Sequence, residues 1–223
     1  MINEHLGWHG QTCLSVLYPF LKDEYMFQQI RIVGLGGQGI VLLGQIIGQA
    51  GIYDKRYVAQ SSAYGPETRG SLCRAEVIIA DSPIDYPYAV RSDILVAMTQ
   101  KGYENFANSV EKLNGSIFYD TKLVKVLPHV GASASGGHCP NTKYFPVPAT
   151  ESAIKHFGSP TTANILMLGA VVEATNIISK KSTLKAIKEI IAPKAVSTNL
   201  EAFNLGVDLG AKVSLLNNIS QKN

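Results

Sequence analysis

The run Ile30-Arg31-Ile32-Val33-Gly34-Leu35-Gly36-Gly37-Gln38-Gly39-Ile40 constrains this chain most. A short β-branched stretch ends in a glycine-dense turn, and an apolar-periodic segment begins at once. That order predicts a strand, a tight loop and the start of a helix. Glycines let a backbone approach an anion closely, and a helix start points N–H groups at it. Many α/β domains carry such a turn, and some bind nothing there.

The segments beyond the turn set the fold class. Strands are expected at 30–34, 56–61, 73–80, 92–98, 115–119 and 143–147. Helices are expected at 38–51, 100–112, 149–157, 161–175, 182–191 and 197–217. The stretches Glu76-Val77-Ile78-Ile79-Ala80 and Ile94-Leu95-Val96-Ala97 are short and apolar, as buried parallel strands tend to be. In 38–51, Ile40, Leu43, Ile47 and Ala50 share one helical face. Ser182 is placed to cap its helix, with Leu184, Ile187 and Ile191 as the apolar stripe and Pro193 as the stop. The alternation reads as an α/β domain of Rossmann-like kind. It has a twisted, mostly parallel sheet, helices on both faces and a helical C-terminal third.

Residues 1–25 do not share this pattern. Gly7-Trp8-His9-Gly10 is turn-like, and the apolar patch from Leu14 to Leu21 is broken by Pro19. They read as an extension of low order, upstream of a natural start at Met26, or as an arm that packs on a partner. Residues 26–217 read as one domain. The stretch 128–142, rich in Gly, Ala and Ser, reads as a surface loop.

Composition narrows the function classes. Of 223 residues, 46% are hydrophobic and 17% charged, enough for a sizeable core. A formal charge of +3 argues against nucleic-acid binding as the main task. No apolar run reaches the ~20 residues of a membrane span, and no secretory signal pattern opens the chain. Cys13, Cys73 and Cys139 are scattered, without CxxC spacing. They suit a reducing cytoplasm and no ferredoxin-type cluster in this chain. His5, His9, His129, His138 and His156 lack metal-ligand spacing. No GxSxG motif marks a nucleophile.

Three motifs remain. Gly34, Gly36 and Gly39 match GxGxxG, with Gly37 and Gln38 inside. A nicotinamide site wants an acid at the end of the second strand. That strand ends in Gln60-Ser61, and Asp54 comes before it. A free-standing dinucleotide-binding oxidoreductase is therefore disfavoured; another phosphate-bearing ligand, or a turn with no ligand, stays open. The loop Ser61-Ser62-Ala63-Tyr64-Gly65-Pro66-Glu67-Thr68-Arg69-Gly70-Ser71 is expected beside the glycine turn, where Arg69 can grip a phosphate or carboxylate. An ordinary charged turn fits it as well. In Thr161-Thr162-Ala163-Asn164-Ile165-Leu166-Met167-Leu168-Gly169-Ala170, a threonine caps a helix whose small residues permit close packing.

Together, in this order, the glycine turn, the Tyr64–Gly70 loop and the Asn164–Ala170 segment resemble the gamma subunits of 2-oxoacid:ferredoxin oxidoreductases. Asn199–Gly206 is similar to the family's last helix. Ser82–Pro87 and Asp93–Met98 look most like the 2-oxoglutarate branch; the pyruvate and branched-chain versions share the architecture. Ser71 departs from the glycine often found there. The resemblance implies a complex that oxidatively decarboxylates a 2-oxoacid, forms an acyl-CoA and reduces ferredoxin. It implies alpha, beta and cluster-bearing subunits as partners. Thiamine diphosphate, Mg2+ and an iron–sulfur cluster would be held elsewhere in the complex. This chain would hold no cofactor alone and no catalytic residue, and would contribute coenzyme A placement and assembly. Gly36, Gly37, Gln38 and Gly39 would supply backbone donors. Tyr64, Glu67 and Arg69 would line the coenzyme A path or a subunit contact. Asn164 would orient one of these loops.

Overall fold

The computed structural model describes residues 26–64, 71–110, 115–126 and 142–220, with 217–220 described by backbone alone. The extension 1–25, the loop bearing Glu67 and Arg69, and nearly all of 128–142 lie outside the described residues.

The chain runs β1 (Phe27–Leu35), α1 (Ile40–Tyr53), β2 (Tyr57–Tyr64), β3 (Leu72–Ala80), β4 (Ile94–Ala97) and α2 (Gln100–Phe106). Then come β5 (Ser116–Asp120), β6 (Lys143–Val147), α3 (Ala149–Phe157), α4 (Ala163–Thr175), α5 (Lys180–Ile190) and α6 (Val196–Ser220). Short 3-10 turns sit at Ala107–Ser109, Pro160–Thr162 and Pro193–Ala195. The expected elements are present, and the last third is helical.

The six strands form one sheet in the order β2-β3-β1-β4-β5-β6. From β1 through β4 and β5 to β6 the pairing is parallel. β3, expected to be a buried parallel strand, instead runs antiparallel to both β1 and β2. Its apolar run reflects burial on both faces, which does not report direction. β2 thus points the same way as β1, with β3 between them.

The faces are unequal. Ile30, Ile32, Ala75, Val77, Ile94, Val96, Phe118 and Phe145 face a large apolar core shared with α1, α4, α5 and α6. Phe118 and Phe145 are register partners with rings stacked 4.3 Å apart. Within that layer α4 and α6 touch through backbone. A Cβ on Gly206 would collide with the Leu166 carbonyl, and one on Gly169 would lie 2.8 Å from Val207 N. The second face holds a smaller cluster of Val33, Leu95, Ala97, Tyr103, Val110, Ile117 and Val124 under α2. Burial, with Tyr144 and Tyr119 close by, pushes the pKa of the Tyr103 hydroxyl up to about 12.

Two helices differ from expectation. Ser179, not Ser182, starts α5; its hydroxyl accepts from Ser182 N at 3.1 Å. The α2 helix is also shorter than the expected 100–112, giving way to a 3-10 turn and a bridge between Ser92 and Val110.

Candidate functional site

The glycine turn lies at the carboxyl end of β1, between the parallel and antiparallel halves of the sheet. Gly37 has φ 97° and Gly39 φ 73°, which an L side chain rarely adopts. Gly39 is also the N-cap of α1, and no side chain caps that helix. Asn164 occupies the space where a Gly39 Cβ would go. Position 39 therefore requires glycine twice, for its backbone and for Asn164. Asn164, expected to orient one of these loops, lies against Gly39 of the turn.

Gln38 is committed to the turn itself. Its Oε1 accepts from Leu35 N at 2.7 Å, and its Nε2 donates to the Met98 carbonyl at 3.2 Å. The Gly36 N–H donates to the Ser71 carbonyl at 3.0 Å. The Gln38 N–H likewise donates to the Leu35 carbonyl at 3.1 Å, so neither the Gly36 nor the Gln38 N–H is the free ligand donor expected. The Gly36 bond ties Ser71, just before β3, to the glycine turn. Tyr64, the last residue of β2, pairs in register with Cys73, which pairs with Gly34. It stands at the same end of the sheet, 67% exposed, but on the edge strand. Glu67 and Arg69 lie outside the described residues.

A cavity of about 460 Å³ opens on the other side of the turn. Gly37, Gln38 and Asn164 line it, with Met98 after β4, Lys122 and Leu123 after β5, Thr150 and Ile154 on α3, and Thr161 before α4. Every contributing strand presents its carboxyl end, where open α/β sheets place ligands. Asn164 is 5% exposed; its Oδ1 accepts from Ile165 N at 2.9 Å, and its amide belongs to the cavity wall.

One buried carboxylate lies behind the far wall and holds two of its residues. Asp120 is fully buried at the end of β5. Its Oδ2 accepts from Thr150 N at 2.8 Å and Thr150 Oγ1 at 2.6 Å, and its Oδ1 accepts from Lys122 N at 2.9 Å. Asp120 thus sets both the start of α3 and the turn that carries the Lys122 ammonium. Sequence reasoning missed Met98, Lys122, Thr150 and Asp120. Their one available signal was position, at or just past the ends of expected strands. Thr162 does not cap α4 by its side chain; its hydroxyl is buried without a partner, and Ser159 caps the preceding 3-10 turn instead.

Asp54 has a structural explanation. It accepts from Ser179 N at 2.6 Å, Ser179 Oγ at 2.7 Å and Ser182 Oγ at 2.6 Å, at the start of α5. Burial pushes its pKa up, but these hydrogen bonds and the nearby Arg56 outweigh that and hold it below the usual carboxylate range. It is a helix anchor and not a ribose-binding acid.

The pyruvate ferredoxin/flavodoxin oxidoreductase family matches residues 29–209. The chain belongs to this family. The 2-oxoglutarate synthase subunit KorC of Methanocaldococcus jannaschii is 36% identical over 84% of this chain and 96% of its own length. The same subunit of Methanothermobacter thermautotrophicus is 38% identical over 82% of this chain and 94% of its own length. Ketoisovalerate oxidoreductase subunit VorA of the latter organism is 32% identical over 87% of this chain, but the match spans only 39% of VorA. Among solved structures, the keto/oxoacid ferredoxin oxidoreductase gamma subunit of Geobacter sulfurreducens is 32% identical. It superposes with a TM-score of 0.69 over 83% of this chain and 99% of that one. The 2-oxoglutarate:ferredoxin oxidoreductase of Magnetococcus marinus, solved with 2-oxoglutarate, coenzyme A and succinyl-CoA bound, shares the fold. It superposes with a TM-score of 0.71 at 22% identity, over 83% of this chain and 31% of that one.

The resemblance read from the motifs therefore stands: this is a gamma-type chain of the oxoacid ferredoxin oxidoreductases. Among the described residues no group of three or more His, Cys, Asp or Glu could hold a metal ion. No helix among them is long and apolar enough to cross a membrane.

Proposed function

We propose that this chain is the gamma subunit of a 2-oxoglutarate:ferredoxin oxidoreductase, and that its cavity beside the glycine turn holds part of coenzyme A. The cavity is the observation that supports the second half. Its volume of about 460 Å³ lies in the ordinary range for small-molecule sites. It joins apolar walls (Met98, Leu123, Ile154) to the Asn164 amide, the Thr161 and Thr150 edge and the Lys122 ammonium. That mixture suits a ligand with an apolar body and an anionic group. The 2-oxoglutarate assignment is supported by the KorC relatives at 36% and 38% identity. The pyruvate and branched-chain enzymes remain the alternative.

Gly37 and Asn164 contribute to the ligand wall, Gln38 holds the turn in shape, and Asp120 positions Lys122. Tyr64, Glu67 and Arg69 serve the coenzyme A path or a subunit contact. Thiamine diphosphate, Mg2+ and the cluster belong to the alpha, beta and cluster-bearing subunits, and the whole works in the cytoplasm. Cofactors elsewhere in the complex do the bond-breaking; this chain binds and orients.

Tagged purification from the native host tests the assignment. Co-purified subunits with 2-oxoglutarate- and coenzyme A-dependent viologen reduction are expected. A lone chain without that activity refutes it. Within the assembled enzyme, Lys122→Ala should raise the KM for coenzyme A about 10-fold, the loss of one charge-assisted contact of about 1.4 kcal/mol. The KM for 2-oxoglutarate should stay unchanged. An unaltered KM for coenzyme A removes this cavity from the reading.

A further inference from the structure

The glycine pattern predicts a cradle of backbone donors, yet part of that cradle is spent inside the protein. The Gly36 and Gln38 N–H groups go to the Ser71 and Leu35 carbonyls. Both polar atoms of the Gln38 side chain are used as well, on Leu35 N and the Met98 carbonyl. What the turn admits is a side chain from another element. Gly39, at φ 73°, leaves open the place that a Cβ would fill, and Asn164 Nδ2 sits there.

Asn164 is the second residue of α4 and is 95% buried, being 5% exposed. Its amide is held in one orientation. Oδ1 accepts from Ile165 N at 2.9 Å, which turns Nδ2 the other way, onto Gly39. Among the described residues Nδ2 has no acceptor. It is not sealed off either. The neighbouring Thr162 Oγ1 is buried with no partner, whereas Nδ2 keeps accessible surface, on a residue that lines the cavity. A donor fixed in direction and left without an acceptor in so buried a place is costly. A ligand oxygen removes that cost. The surroundings favour such an oxygen, because the first turn of α4 carries partial positive charge. Lys122 lines the same cavity, and no acidic residue among the described ones does.

We propose that Asn164 is a specificity-determining donor of this cavity. Its Nδ2 donates to an acceptor oxygen of coenzyme A, on a phosphate or an amide carbonyl, and Gly39 is glycine so that this amide can be seated. The inference rests on the coenzyme A reading of the cavity. It gives the glycine turn a second task, to make room for a side-chain donor brought by α4.

Two substitutions in the assembled enzyme separate a donor from a structural asparagine. Asn164→Asp keeps the shape and the Oδ1 acceptor for Ile165 N, and an acid suits the first turn of a helix. It removes the donor and turns an anion toward the ligand oxygen. Asn164→Ala removes donor and acceptor together. A donor to the ligand predicts the larger loss for aspartate: the Kd for coenzyme A, by calorimetry, should rise about 100-fold, against about 10-fold for alanine. The KM for coenzyme A should follow, with the KM for 2-oxoglutarate as the internal reference. A structural role predicts the reverse order, with the aspartate variant near wild type, and that order overturns the proposal. So does a wild-type Kd in the alanine variant, which decides the matter if the aspartate variant does not assemble. Lys122→Ala tells this failure from failure of the underlying reading. A raised Kd there, with both Asn164 variants unchanged, removes only the Asn164 donor; no change in any of the three removes the cavity too. Truncated ligands locate the oxygen. An alanine penalty that vanishes with dephospho-coenzyme A places it on the 3′-phosphate. One that persists with pantetheine, which has no phosphate, places it on an amide carbonyl. One that survives the first truncation and not the second places it on the diphosphate.

Discussion

The two faces of the sheet solve burial differently. On one, α1, α4, α5 and α6 bury aliphatic and phenyl side chains, and glycines bring α4 and α6 into backbone contact. On the other, a short helix covers part of the surface, and a charged network occupies the rest. Arg31 and Glu76 are both about 95% buried and pair at 2.8 Å, and Arg74 and Ser61 also reach Glu76. Arg31 Nη2 donates to the Ala89 carbonyl at 2.7 Å. Arg31 and Arg74 both stack over Phe106. The first face gains stability from area and shape. The second gains definition, since directional bonds hold the 86–90 segment where packing alone would let it slide.

Three perturbations test this contrast. The largest effect is expected for Glu76→Ala, which strands the Arg31 charge and should cost about 3–5 kcal/mol in urea unfolding. Combining Arg31→Met with Glu76→Leu should recover most of that loss. A single-variant cost under about 1 kcal/mol would mean the network is not desolvated and the contrast fails. Next comes Gly206→Ala on the apolar face. Its methyl would meet the Leu166 backbone, which cannot swing away as a side chain can. A loss of about 2–3 kcal/mol is expected, with a lower Tm, from forcing the helices apart. The smallest is Asp54→Ala, at about 1 kcal/mol for a lost helix anchor. Its pH dependence has a definite sign. The folded-state pKa is depressed, so the stabilisation is complete above the unfolded value of about 3.9. It disappears as pH falls through the lower folded value. The wild-type and Asp54→Ala stabilities should therefore converge in acid and stay parallel at neutral pH.

Much of the fold was legible because it is written locally. The β-branched run, the glycine turn and the apolar stripe of α1 are neighbours along the chain, and each element follows from its own spacing. The direction of β3 was not legible. A strand covered on both faces reads the same whichever way it runs. The candidate site divides in the same manner. Gly37, Gly39 and Asn164 were visible as unusual residues, and the structure brings them together. Gly36 was assigned a free donor that Ser71 consumes, because a partner so far along the chain leaves no mark on the local pattern. Asp54 looked like a misplaced ribose acid until Ser179, 125 residues later, appeared beside it.

The sequence by itself determined an α/β chain with a glycine-dense turn, a helical last third and a family resemblance carried by three ordered motifs. These follow from backbone sterics and apolar periodicity, which act over a few residues. Only the tertiary structure decided that Met98, Lys122, Thr150 and Asn164 share one cavity, and that Arg31 and Glu76 meet under the 86–90 segment. Such meetings depend on strand order and register. Those are set by the summed burial of the whole sheet, and no short stretch of residues contains that sum.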